Sequence, residues 1–117
     1  MADWGVVQAI AASFPEAEES TSYGKPAFKV KGKLFAWLSP DDSADGALAV
    51  RADADELALL IRTAPDRYFQ TPHYHGYPIL LVRLDRIGRE ELAERIEDAW
   101  LLRAPKRLVD DFVSEKS

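Results

Sequence analysis

The chain has no cysteine, which excludes disulfides, thiolate metal centres and thiol-based catalysis. It contains no Gly-x-Ser-x-Gly elbow, no His-Glu-x-x-His and no phosphate-cradling glycine loop, so no hydrolase or nucleotide-triphosphate motif is present. No apolar run approaches the roughly 20 residues needed to cross a bilayer. The first residues, Met1-Ala2-Asp3-Trp4, lack the basic start and apolar stretch of a secretory leader. These absences lead to the expectation of a cytoplasmic domain with no membrane partner. At 117 residues the chain is expected to form one domain, residues 1–117, that buries about two-thirds of its unfolded surface.

Excess positive charge is also lacking. Fifteen Lys and Arg stand against twenty Asp and Glu, for a net charge of −5, which argues against a general electrostatic grip on nucleic acid. The charge is segregated, however. Lys25, Lys29, Lys31 and Lys33 occur between residues 23 and 40 with no acid among them, and Arg103, Lys106 and Arg107 form a second basic cluster. The acids gather at 16–19, 41–45, 53–56 and 90–98. A local basic face is compatible with that distribution.

The hydrophobic pattern predicts an α+β fold. Asp3 caps a first helix with Trp4, Val7, Ile10, Ala11 and Phe14 at helical spacing, ended by Pro15. Residues 27–30 and 33–38 read as strands joined at Lys31-Gly32, with Val30 facing Lys33 and Phe28 facing Phe35. A third strand spans 47–52. Asp53-Ala54-Asp55-Glu56 has capping-box spacing and opens a second helix that stops before Pro65. Residues 66–77 form an aromatic-rich loop, and 77–84 a nearly continuous apolar strand expected inside the sheet. A long helix follows Gly88, with Glu91 and Arg95 as an outward i,i+4 pair. Pro105 separates it from a last amphipathic segment. The expected architecture is an antiparallel sheet of about four strands or more against helices, in the order α-β-β-β-α-β-α-α.

Both histidines lie in one stretch, His73-Tyr74-His75-Gly76-Tyr77, which makes it the first place to look for chemistry. His73 and His75 would share a side if the segment were extended, but no third metal ligand has recognisable spacing. His75 with Asp66 would be an acid/base pair only if the fold brought them together. Asp41-Asp42-Ser43-Ala44-Asp45-Gly46 resembles the start of a calcium loop, yet the twelfth position, which needs a bidentate Glu, is Ala52. A solvated hairpin loop is the simpler reading. Lysines interleaved with Phe28, Phe35 and Trp37 fit phosphate contacts with aromatic support, or equally a hairpin whose aromatics are core and whose lysines protect an edge.

Four segments together, Phe14-Pro15-Glu16-Ala17-Glu18-Glu19, Tyr23-Gly24-Lys25-Pro26-Ala27-Phe28-Lys29-Val30, Gly32-Lys33-Leu34-Phe35-Ala36 and Ala104-Pro105-Lys106-Arg107-Leu108, resemble the MmcQ/YjbR-like family in order and over nearly the whole chain. The resemblance implies an α+β fold similar to the bacterial frataxin homologue, described as a double-wing DNA-binding arrangement. It also raises a drug-binding or resistance role. Frataxin-like iron binding relies on an acidic first helix, and here residues 3–13 carry only Asp3. The family's histidine-leucine-asparagine-lysine stretch with a following His-Trp is replaced by Thr71-Pro72-His73-Tyr74-His75-Gly76-Tyr77.

Three readings are therefore weighed for a cofactor-free, monomeric domain: foremost a non-enzymatic DNA-binding surface, in its place a small aromatic-molecule site, and last a metal-dependent enzyme using the His73/His75 loop. The first is a DNA surface in which Lys29, Lys31, Lys33, Arg103, Lys106 and Arg107 contact phosphates. The second is a small aromatic-molecule site built from Tyr68, Phe69, His73, Tyr74, His75 and Tyr77.

Overall fold

The computed structural model describes residues 2–39 and 46–116. The aspartates of the calcium-like segment, at 41, 42 and 45, lie outside the described residues. Among the described residues no helix is long and apolar enough to cross a membrane.

Six strands form one antiparallel sheet in the order β1-β2-β3-β4-β6-β5. They are β1 (Ala17–Ser22), β2 (Lys25–Val30), β3 (Lys33–Leu38), β4 (Leu48–Arg51), β5 (Tyr68–Phe69) and β6 (Ile79–Val82). The helices are α1 (Trp4–Ala11), α2 (Ala54–Thr63), α3 (Arg89–Arg103) and α4 (Lys106–Lys116). The expected α+β class holds, and β6 is flanked on both sides as its apolar sequence requires. Two strands were not legible. Ala17–Ser22 reads as a polar acidic segment because it is an edge strand, where charged side chains blunt the unpaired backbone. Tyr68–Phe69 is too short to show a period.

Local chemistry explains the boundaries. Asp3 accepts from the Val6 backbone N–H at 3.0 Å, and Asp53 accepts from Asp55 and Glu56 at 3.1 and 3.3 Å, so both predicted caps form. At Lys31-Gly32 both residues have positive φ, 50° and 83°, the backbone of a two-residue hairpin turn that matches strand twist. Val30 pairs with Lys33 and Lys29 with Leu34, as expected. The register then shifts, and Phe28 pairs with Ala36 rather than Phe35. Phe35 is the extra residue of a β-bulge.

That bulge sorts the side chains of β3. Phe35 and Ala36 both join the larger core with Phe28, Val30, Leu48, Val50, Leu80 and Val82, which α1 and α3 cover. Leu34 and Trp37 both go to the other face, with Ala27, Ala47, Ala49, Tyr74, Ile79 and Leu81. That second cluster contains no residue from any of the four helices. It is closed by Trp37 and by Tyr74, which the loop before β6 folds onto the sheet.

On the helix side, α3 crosses β3 and β4 and packs against α1. Trp100 is fully buried there, stacked on Phe14 at a centroid separation of 5.8 Å and tilted against Phe112 at 5.0 Å. Its indole N–H donates to the Pro15 carbonyl at 3.1 Å. One side chain thus ties α3 and α4 to the segment that joins α1 to β1. Trp100→Ala should reduce unfolding free energy by about 3–5 kcal/mol, measured by chemical denaturation. A loss below about 1 kcal/mol would show that the core closes around the vacancy.

Candidate anion-binding cleft

Alternation along β2 and β4 points Lys29 and Arg51 to the same face as Ala27 and Ala49, the face without helices. At the hairpin end of the sheet these two cations meet Lys33 from β3 and Arg103 from the last turn of α3. Together they line an open cleft of about 410 Å³. Its apolar lining is Leu34, Trp37 and Ile79, and Gly32 completes the rim. No acid lines it.

Among the described residues none of the four cations forms an ion pair. Burial, and after it the charge of Arg103, lowers the Arg51 pKa from its ordinary value. The Nε of Arg103 is buried and without a hydrogen-bond partner. This is a concentration of positive charge in a protein of net charge −5.

The sequence-predicted phosphate contacts divide. Lys29, Lys33 and Arg103 come together. Lys31, at the hairpin tip, instead lies 3.7 Å from Glu16, and Lys106 lies 3.6 Å from Asp110 one helical turn on. Arg107 is exposed on α4 and does not line the cleft. Arg51 was missed by sequence reading. Its signal was a lone charge at the end of an apolar strand, two residues from Ala49 and therefore on its face.

The aromatic set does not form one surface. Tyr68 pairs with Val82 and enters the helix-side core, where its hydroxyl donates to Glu91. Phe69 pairs with Leu81 on the opposite face and lies beneath the Arg83 guanidinium, 4.1 Å from its ring centroid. Tyr74 is buried in the second cluster, with its hydroxyl 3.0 Å from that of Ser39. His73 meets the Tyr74 ring edge-on at 4.7 Å, while His75 and Tyr77 are exposed. The segment is not extended, because Pro72–Tyr74 forms a 3-10 turn. Gln70 holds the loop by donating to the carbonyls of Tyr74, Tyr77 and Ile79 at 3.2, 3.0 and 2.9 Å. Asp66 pairs with Arg67 at 3.0 Å. Among the described residues no three His, Cys, Asp or Glu side chains are placed to hold a metal.

A second charged region lies between α2 and α3, over a groove of about 830 Å³. Glu91 and Arg95 do not form their predicted i,i+4 pair. Glu91 accepts from Tyr68 and from Arg67 Nε at 3.0 Å, while Arg95 reaches Glu56, Glu94 and Asp98 at 3.2, 3.4 and 3.5 Å. Glu91 turns to Tyr68 and Arg67 across the fold, and Arg95 takes Glu56 of α2 together with Glu94 and Asp98 of its own helix. Burial, then the hydrogen bond to Glu91, pushes the Tyr68 hydroxyl well up. Burial opposes ionisation of Glu91, but donation by Tyr68 and Arg67 and the charges of Arg67 and Arg95 outweigh it and hold that carboxyl below its ordinary value. Here cations and carboxylates interleave, with Arg67, Arg89 and Arg95 beside Glu90, Glu91 and Glu94, so the groove carries no strong field of one sign.

Asp98 is the exception within this network. Burial, then the hydrogen bond and charge of neighbouring Glu56, push its carboxyl up from 3.8 to about 6 despite Arg95. A raised acid favours the folded state when protonated, so its cost grows as pH rises from near 3.8 through about 6 and is constant above. Asp98→Asn should therefore melt at a higher temperature than the parent at neutral pH, with the difference shrinking toward pH 4. An equal difference at both pH values would contradict this assignment. In the cleft, Arg51→Gln should stabilise the ligand-free protein at low salt by about 0.5 kcal/mol, and added salt should erase the gain. A lower melting temperature at low salt would show that Arg51 is held for packing instead.

A family model described as YjbR matches residues 12–102. Among curated proteins, an uncharacterized protein of Mycobacterium tuberculosis and one of Mycobacterium bovis are each 34% identical over 129 residues, covering 97% of this chain and 98% of theirs. The fold is shared with the crystal structure of the Deinococcus radiodurans protein DR2400, a DUF419-domain protein. That likeness has a TM-score of 0.75 at 21% identity, over 92% of this chain and 82% of the other.

Proposed function

The chain belongs to the YjbR family, and from that premise we propose that it is a binding domain for phosphate-bearing ligands, held by Lys29, Lys33, Arg51 and Arg103. The observation that carries this reading is four cations lining one cleft, none of them in an ion pair among the described residues, in an otherwise acidic protein. Unpaired positive charge raises the energy of the empty protein, and an incoming anion relieves it. Arginine forks match phosphate oxygens bidentately, and lysines add mobile point charges. DNA is the phosphate polymer to which the double-wing resemblance points. Its backbone would be met by Lys29, Lys33 and Arg103 as expected from sequence, with Arg51 in place of the paired Lys31 and Lys106.

An aromatic-molecule site around His73 and Tyr74 has less support, since Tyr68 and Tyr74 are committed to cores on opposite faces. The apolar lining needed for such a ligand lies instead in the basic cleft.

Pyrophosphate is a suitable probe of the charge alone. It should bind the purified protein in low-salt calorimetry, weaken steadily as salt rises, and weaken at least tenfold in a Lys33→Gln/Arg103→Gln variant. Undiminished binding by that variant would move the site elsewhere, and no binding at low salt would remove the reading.

A further inference from the structure

We infer that the cleft takes a small planar molecule carrying a phosphate, of mononucleotide size and chemistry, rather than the side of a DNA duplex. This rests on the phosphate-binding reading above and narrows it to a class of ligand. Three features of the cleft carry the inference.

The first is shape. Lys29, Lys33, Arg51 and Arg103 surround one concavity of about 410 Å³, within the range of small-molecule sites. Duplex recognition more commonly inserts a helix or ribbon into a groove and spreads cations along the backbone. Here all four cations line a single hollow.

The second is the floor. Leu34, Trp37 and Ile79 place apolar surface between the cations. A sugar-phosphate backbone gains nothing from such a surface. A ring does, and the β-bulge is what puts Leu34 and Trp37 on the same face for it to rest against. Cations with an apolar floor suit a ligand with one charged end and one flat end.

The third is the surrounding charge. Acids stand beside two of the cleft cations and against the basic residues that do not line it. Glu18 is opposite Lys29 in the strand register, Glu16 lies against Lys31 at the hairpin tip, and Asp53 is two residues beyond Arg51. On α4, Asp110 neutralises Lys106. A polyanion longer than the cleft would run its next phosphates into these carboxylates. A phosphate monoester, with a charge of about −1.5 to −2 at neutral pH, stays within the basic patch. Buried Arg103 Nε and the crowded Arg51 would then acquire an anionic neighbour.

The test compares four probes on the full chain by calorimetry at low salt: adenosine monophosphate, adenosine, inorganic phosphate and a 20-base-pair duplex. The monophosphate should bind at least tenfold more tightly than either adenosine or inorganic phosphate, because only it engages both ends of the cleft. Arg51→Gln and Lys33→Gln should each weaken it about tenfold, and Lys106→Gln should leave it unchanged. All three positions are at least partly exposed, and circular dichroism melts would verify folding. Inorganic phosphate binding as well as the nucleotide would overturn the planar part of the inference while leaving phosphate recognition intact. Duplex binding that exceeds the nucleotide's, and that falls in Arg51→Gln, would overturn the small-ligand inference in favour of DNA. Failure of every phosphate-bearing probe would remove both this inference and the reading beneath it.

Discussion

Side-chain alternation along the central strands, reset once by the bulge at Phe35, is the constraint on which the molecule depends. A regular strand would place Phe35 with Trp37, and Leu34 with Ala36. The extra residue instead sends Phe35 and Ala36 together into the helix-covered core and turns Leu34 and Trp37 to the opposite face. The larger core keeps its aromatic contact, with Phe28 and Phe35 rings 6.3 Å apart. The uncovered face gains the apolar floor of a cleft. Because Lys29 and Arg51 alternate with Ala27 and Ala49, the same pleat places cations at that floor's margin.

The two faces solve burial differently. On one, α1 and α3 cover the sheet and Trp100 locks them, while α4 is drawn in through Phe112. On the other, small alanines lie beneath Trp37 and Tyr74, and a loop held by Gln70 serves where a helix would otherwise be needed. The histidine-tyrosine loop is therefore explained by packing. Tyr74 is its anchor, and the histidines flank that anchor in the absence of any assembled metal site among the described residues.

Charge follows the same division. Between α2 and α3 charged groups of both signs are interleaved, and half-buried Arg95, although its Nε like that of Arg103 is buried without a hydrogen-bond partner, alone reaches three carboxylates. At the hairpin end, four cations face one hollow with none. A paired network in partial burial holds helices in register, whereas unpaired charge at a concave surface is stabilised only by something that arrives from solution. This contrast, which composition at −5 overall could not show, is what motivates the proposed binding site.

Much of this was legible in the chain. The helix caps at Asp3 and Asp53, the Lys31-Gly32 turn, the inner strand before Leu84 and the α+β class all follow from local rules, because caps, turns and periodicity depend on residues close in sequence. The basic character of Lys29, Lys33 and Arg103 was visible as well. What local rules could not supply was the polar edge strand, the bulge, the exchange of the Glu91–Arg95 pair for tertiary partners, or the division of the loop aromatics between two cores.

The sequence by itself determined which segments become helix and strand, and where positive charge is available. Only the tertiary structure decided which charges are free. Lys31 and Lys33 differ by two residues, yet one is neutralised by Glu16 and the other opens onto the cleft. Arg51 and Arg103, 52 positions apart in the numbering, become neighbours close enough for one to perturb the other. Coulomb interactions act through space, and position along the chain does not specify that space until the sheet is paired and the helices are packed upon it.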